Sequence, residues 1–384
     1  MNATQNNTDW ADRVKSVKGE FFQTREAAER YHRNVYENQG VIKVKNVIEV
    51  QHVVDNAQGS VLEVGTGTGR FAIPMHDKGC TVTGTDISPK MLEVAKEAAQ
   101  GRNITWQTAD VEALPFSDAS FDTVSCMNVI IHLPQWKPAI LEFKRVCKPN
   151  GRIIFDMCSG DITNYVNRNG IKYGANTKTH DDAAYFAEIP VKELTEFLES
   201  NGMTIERIIP HDFLNTNYML EDLLKEAYEP FLERVKKDLV QSQSAFDFWC
   251  FIEQNIIKNL PTDCVLDYVV VAKNGTGGQN LCPKPLNAYA ESLGAKQFLE
   301  QCLGNEYNAV ISKGNQLLAS DEALAFLVFM SQEVIHRMDK NFSLKEFLTE
   351  ANYARVEAII QRENSPVTRA KGIFKKIFSG SSKP

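Results

Sequence analysis

Two rhythms of apolar and polar positions alternate along this chain. From Asp12 to Tyr36 and from Val41 to Ala57, apolar side chains recur every three or four residues. Val44, Val47, Ile48 and Val54 share one face of the second stretch, as an amphipathic helix requires. Short apolar runs then take over at Val61–Val64, Thr81–Asp86, Ile104–Asp110, Phe121–Met127 and Arg152–Met157. Helical stretches separate them: Phe71–Lys78, stopped by Gly79; Lys90–Gln100, opened by Ser88 as cap and Pro89 at the first helical position; and a third running to Val146. Strands alternating with helices predict an α/β, doubly wound, mostly parallel sheet.

The second half of the chain keeps the sheet going and then leaves it. Lys148–Gly151 reads as a turn before the fifth strand, and Asp161–Glu188, with Tyr165, Tyr173 and Tyr185, as a loop or lid. Val191–Asn201 is a helix stopped by Gly202; Met203–Ile209 and Cys264–Lys273 bring the strands to seven. Between those two strands Leu220–Leu260 is helical, so a helical insertion parts two neighbouring strands. Asn274–Asn280 is glycine-rich and reads as a linker, and Pro285–Arg362 as helical throughout. The resulting division is an N-terminal helical lid over 1–40, a core domain over 41–274 with its insertion at about 215–262, a linker over 275–284, an all-helical accessory domain over 285–364 and a basic tail over 365–384. Residues 1–12 are expected to lack fixed structure.

Composition narrows the choice of class. With 384 residues, 43% apolar and 24% charged, the chain is an ordinary globular one, large enough for two domains. Its net charge of −7 argues against nucleic acid as a partner. No run reaches the roughly 18 apolar residues of a spanning helix. The eight cysteines form no C-x-x-C pair and read as reduced thiols, several in buried strands. A cytoplasmic location is expected. The tail adds peripheral membrane contact to that expectation: Arg369, Lys371, Lys375 and Lys376, interleaved with Ile373, Phe374, Ile377 and Phe378, suit weak binding of anionic lipid over 369–378.

Candidate chemistry gathers around Val61-Leu62-Glu63-Val64-Gly65-Thr66-Gly67-Thr68-Gly69-Arg70. A strand running into G-x-G-x-G reads as a sharp turn that lets backbone approach a ligand. Asp86 ends the second strand and can accept both hydroxyls of a ribose. Asp110 follows the third and can accept an adenine amino group. Either acid alone would suit a cap or a loop; together, after the glycine turn, they are the handles of an adenosine without phosphates. A nicotinamide dehydrogenase is the nearest competitor, but its fingerprint wants glycine where Arg70 stands and has no need of Asp110.

This set resembles the class I S-adenosylmethionine-dependent methyltransferases, and within them the small-molecule group. Phe121–Leu133, Leu114-Pro115-Phe116 and Lys148–Gly151 carry the likeness further, over roughly residues 40–210 and 264–273. The resemblance implies a Rossmann-like fold and S-adenosyl-L-methionine as cofactor. It implies that Gly65, Thr66, Gly67 and Gly69 pass under the methionine and ribose portions, and that Asp86 holds the ribose with Ile87 against adenine. Asp110 and the Val111 backbone would meet the adenine edge. Glu63 and the backbone near Met127 and Asn128 would face the methionine ammonium. His132, after the fourth strand, and His32, in the N-terminal helix, are candidate general bases. No metal site is expected. The implied activity is methyl transfer to an O or N atom, less readily C, of a small-molecule or glycan- or lipid-linked acceptor. Two alternatives stay open: a cofactor-binding adaptor working through its C-terminal helices, and a protein methyltransferase. Partner docking or self-association is assigned to 285–364.

Overall fold

The computed structural model describes residues 20, 22–161, 187–214, 218–278, 281–289 and 293–363. The proposed lid tyrosines and the basic tail lie outside the described residues. The chain forms two compact units, residues 1–222 with 257–289 and residues 223–256 with 290–384.

The first unit is built on one sheet. Its strands are β1 (Ser60–Val64), β2 (Thr81–Asp86), β3 (Thr105–Thr108), β4 (Phe121–Cys126), β5 (Cys147–Ser159), β6 (Glu188–Ile189), β7 (Thr204–His211) and β8 (Asp267–Lys273). They lie in the order β3-β2-β1-β4-β5-β8-β7, with the two-residue β6 beside β5. Pairing is parallel from β3 through β5, and β8 runs antiparallel to both β5 and β7. The strand order reverses between β1 and β4, which in an open α/β sheet places the ligand crevice at their carboxyl ends. The expected seven strands are therefore present, with the short β6 as an eighth.

Helices cover both faces. Among the described residues these include α1 (Arg25–Tyr36), α2 (Gly40–Asn56), α3 (Ala72–Asp77), α4 (Pro89–Ala98), α5 (Lys137–Val146) and α6 (Val191–Ser200). Val53 of α2 and Ala72 and Met75 of α3 pack on Val61, Val82, Ile154 and Val271. On the opposite face Ile140 and Phe143 of α5 and Leu194 and Leu198 of α6 bury Leu62, Val124, Ile153 and Val270. Ser88 caps α4 as expected, its hydroxyl accepting from Met91 N–H and donating to the Phe22 carbonyl. That second bond and the packing of Phe22, Ala28 and Tyr31 on Met91 and Val94 hold α1 against α4.

Several boundaries differ from expectation: the helix that ends at Tyr36 begins at Arg25, and the region 285–362 is broken, for example at 318–320 and 339–343. Three others have a tertiary reason. The expected turn Lys148–Gly151 belongs to β5: Cys147 pairs with Phe121, and the backbone of Asn150 and Gly151 bonds to both sides of Asn274. The last strand starts at Asp267 rather than Cys264, because Pro261 leads into a 3-10 turn over Thr262–Cys264. The expected helix over 220–260 is broken at Ser242, whose backbone is extended and whose hydroxyl caps Ala245 N–H.

The helical insertion also groups differently from the expected domains. Its helices Tyr228–Gln241 and Gln243–Asn255 fall in the second unit with the C-terminal helices. Trp249 meets Phe326 edge-on, Phe231 stacks on Phe329, and Phe251 shares a core with Leu303 and Val310. The stretch expected as linker stays with the first unit through Tyr289, since Leu281 N–H bonds to the Glu206 carbonyl and Leu286 N–H to the Asp263 carboxylate. These apolar faces have no period that would reveal which helices they meet.

Asn274 tests how much one side chain contributes to the sheet. Its amide lies 2.8 Å from the Cys147 carbonyl and 3.0 Å from that of Lys144, while its backbone closes on Asn150 and Gly151. Asn274→Ala leaves those carbonyls short of a donor and is expected to cost about 1–3 kcal/mol, read as a lower urea midpoint at unchanged slope.

Candidate functional site at the carboxyl edge of the sheet

The glycine turn between β1 and α3 closes on itself and on β2. Gly65, Gly67 and Gly69 all have positive φ, at 67°, 57° and 85°. A Cβ on Gly65 would collide with the Val129 side chain, and one on Gly67 would press on Tyr31 and Met91 at 3.4 Å. Thr66 N–H reaches the Thr85 carbonyl at 2.7 Å, and Gly67 N–H donates to Asp86 Oδ2 at 2.9 Å. Asp86 Oδ1 accepts from Ser88 N–H at 2.8 Å. Burial pushes the Asp86 carboxyl up, and the Ser88 and Gly67 N–H groups pull it back. Each oxygen retains a lone pair for a ligand hydroxyl.

Asp110 is drawn to the same edge. Ala109 N–H bonds to the Asp86 carbonyl at 3.1 Å, which ties the end of β3 to the end of β2. Asp110 Oδ1 accepts from Glu112 N–H at 3.0 Å, Val111 is buried, and Ile87 is 47% exposed beside them.

At the middle of the edge Glu63 is fully buried on β1, opposite Ser125 of β4. Neither carboxylate oxygen has a hydrogen-bond partner among the described residues. Burial raises its carboxyl to about 8, with Asp156 adding to the rise and Ser125 and Arg70 opposing it. An ionised carboxylate so placed is costly, and a cationic ligand would relieve it. Met127, the residue after β4, is buried. Asn128 has a positive φ of 58° and donates its N–H to Asp156 Oδ1 at 2.8 Å. His132 ends a 3-10 turn over Ile130–His132, its N–H on the Val129 carbonyl. His32 sits in α1, its ring tilted against Tyr36 at 4.3 Å, and burial lowers its pKa.

A group of charges missed by the sequence reading lies behind this edge. Arg70, noted only as a missing glycine, forms a buried ion pair with Glu49 of α2. Glu49 Oε1 also lies 3.1 Å from His211 Nε2 at the end of β7. Lys45, one turn before Glu49, is 2.6 Å from Asp267 of β8 and 2.9 Å from Asp212. Burial works against the Lys45 charge, yet Asp267, Asp212 and Glu49 hold its pKa well above the ordinary lysine range. Burial likewise opposes ionised Glu49, but Arg70, Lys45 and His211 hold it well below the usual carboxylate range. Asp156 is pushed up to about 7, first by burial and then by Glu49. Lys45 and Asp267 are 222 residues apart, so no local pattern announces the group. The only legible sign is the presence of charge on a helix otherwise patterned as apolar.

Comparison with known proteins places this arrangement. A methyltransferase-domain family model matches residues 62–155. Over 151 residues the chain is 32% identical to the ubiquinone biosynthesis O-methyltransferase of Coxiella burnetii (strain Dugway 5J108-111), covering 38% of this chain and 63% of that one. Over 95 residues it is 39% identical to an uncharacterized protein of Mycobacterium tuberculosis (strain ATCC 25618 / H37Rv), covering 24% and 35%. In both cases the chain spans less than two thirds of the relative's length. Among solved structures, magnesium protoporphyrin IX methyltransferase from Synechocystis PCC 6803 aligns with a TM-score of 0.42 at 19% identity, over 67% of this chain and 99% of that one.

Arg70 and Glu49 give a direct test of the charge group. Removing one member of a buried pair strands the other, at about 3–5 kcal/mol, whereas replacing both with apolar residues is far cheaper. Arg70→Met is expected to lower denaturant stability by that order, and Arg70→Met with Glu49→Leu to recover most of it in a double-mutant cycle. A parallel sheet that reverses at β1/β4 and a glycine turn bonded to an acid at the end of β2 coincide with residues 62–155, the stretch that matches the methyltransferase-domain family.

Proposed function

We propose that the chain transfers a methyl group from S-adenosylmethionine to an O or N atom, less readily C, of a small-molecule or glycan- or lipid-linked acceptor. The observation that carries this reading is the fully buried Glu63, with both oxygens unpartnered, beside a glycine turn whose amide is held by Asp86. That pair fits a ligand with a vicinal diol at one end and an ammonium at the other. Asp86 would hold the ribose, Asp110 and the Val111 backbone the adenine edge, and Gly65, Thr66, Gly67 and Gly69 would line the floor. Glu63 would meet the ammonium, with the backbone of Met127 and Asn128 beside it. When bound, the cofactor supplies an activated sulfonium methyl.

The residues of the chain then have to position an acceptor, exclude water and, for a hydroxyl or amine, take up a proton. His132 follows β4 and is the candidate base; His32 is the second, on the helix that Tyr31 holds over Gly67. The helices of residues 285–364 are the proposed surface for a protein partner or self-association.

Two measurements test the cofactor assignment. Asp86→Ala removes the acceptor of two hydrogen bonds and is expected to weaken S-adenosylmethionine binding about 100-fold by calorimetry. Glu63, with its carboxyl at about 8, is mostly protonated at pH 7. An ammonium favours the ionised form, so binding at pH 7 should release close to one proton, and affinity should rise as pH climbs from about 6 to 8. The release is read from binding heats in buffers of different ionisation enthalpy, and Glu63→Gln should abolish it. Buffer-independent heats in the unmodified protein would reject the role of Glu63.

A further inference from the structure

The second unit carries a cleft of about 610 Å³ that the methyltransferase reading leaves without a purpose. It opens between the start of the helix Ala295–Leu303 and the segment from Met338 to Phe347. One wall is apolar. Phe342 and Phe347 stack at 5.3 Å, and Met338 is 64% exposed. The rest is acidic: Glu300, Asp339 and Glu346 line the cleft, against the single lysine Lys296. Asp339 is anchored by accepting from Ala295 and Asn341 N–H. Glu300 and Glu346 have no ion-pair partner among the described residues; burial first, and then these two carboxylates, raise the pKa of the Tyr307 hydroxyl. An apolar wall beside uncompensated carboxylates suits a ligand that is both greasy and cationic.

Such a segment is present in the same chain. Residues 364–384 contain Arg369, Lys371, Lys375, Lys376 and Lys383 and no acid, and Lys375-Lys376 stand between Ile373-Phe374 and Ile377-Phe378. The attachment point is favourable. The last described helix, Glu350–Glu363, starts three residues after Phe347 of the cleft and is 14 residues long, so it carries the chain about 20 Å away. The nine residues 364–372 can span about 30 Å, enough to return.

We propose that this cleft is the docking site of the chain's own segment 373–378. Phe374 and Phe378 supply the apolar contacts, and Lys375 and Lys376 face Glu300 and Glu346. Docking of this kind competes with the anionic-lipid contact read from the sequence, since both use the same residues.

Zero-length carbodiimide cross-linking of the full chain, followed by peptide mapping, tests the proposal. Lys375 or Lys376 should join to Glu300 or Glu346 within one chain, and the yield should drop as salt is raised to about 0.5 M. Phe374→Ser with Phe378→Ser keeps both lysines and adds no charge. It should cut the yield roughly tenfold, because the apolar contacts are lost. Flotation with phosphatidylglycerol vesicles is run alongside. The proposal is overturned if the tail lysines join to no residue of the cleft, if the phenylalanine variant cross-links as well as the parent, if the links run between copies, or if the tail engages only vesicles.

Discussion

An ion pair sealed from water, Arg70 to Glu49, connects the pieces on which the site depends. Arg70 follows the glycine turn, Glu49 sits in α2, and His211 brings in the end of β7. Neither charge tolerates burial alone, so the turn, the helix and the strand must come together in one arrangement. Asn128, whose amide side chain lies 3.4 Å from Glu49 and whose N–H is held by Asp156, extends the same constraint to the end of β4. The pair thus ties together the elements that surround the buried Glu63.

Much of the sheet was legible because its signals are local. β1, β2 and β4 and the cap of α4 are set by runs of a few residues, and the structure moves their limits by one or two positions. Asp86 and Asp110 were placed at strand ends by the same local runs, and the structure ties those ends together through Ala109 N–H on the Asp86 carbonyl. The methyltransferase-domain match over residues 62–155 agrees with the family suggested by those residues.

What stayed hidden was long-range. Lys45 and Glu49 passed without remark, because their partners Asp212, Asp267 and His211 lie at the far end of the domain. β5 was read too short because the bonds that lengthen it come from Asn274, beyond the insertion. The grouping of residues 223–256 with the C-terminal helices depended on which apolar faces meet, and periodicity identifies a face without identifying its mate.

The antiparallel slot between β5 and β7 has a consequence for biosynthesis. β8 fills it, and Cys158 of β5 finds its neighbour Asp267 only 109 residues later. While a ribosome is still making the insertion, β5 and β7 have emerged with a missing strand between them, and their backbone amides face an open gap. Closure waits for Lys273 to leave the exit tunnel. During that interval the nascent sheet has unsatisfied edges of the kind that chaperones shield or that other strands invade.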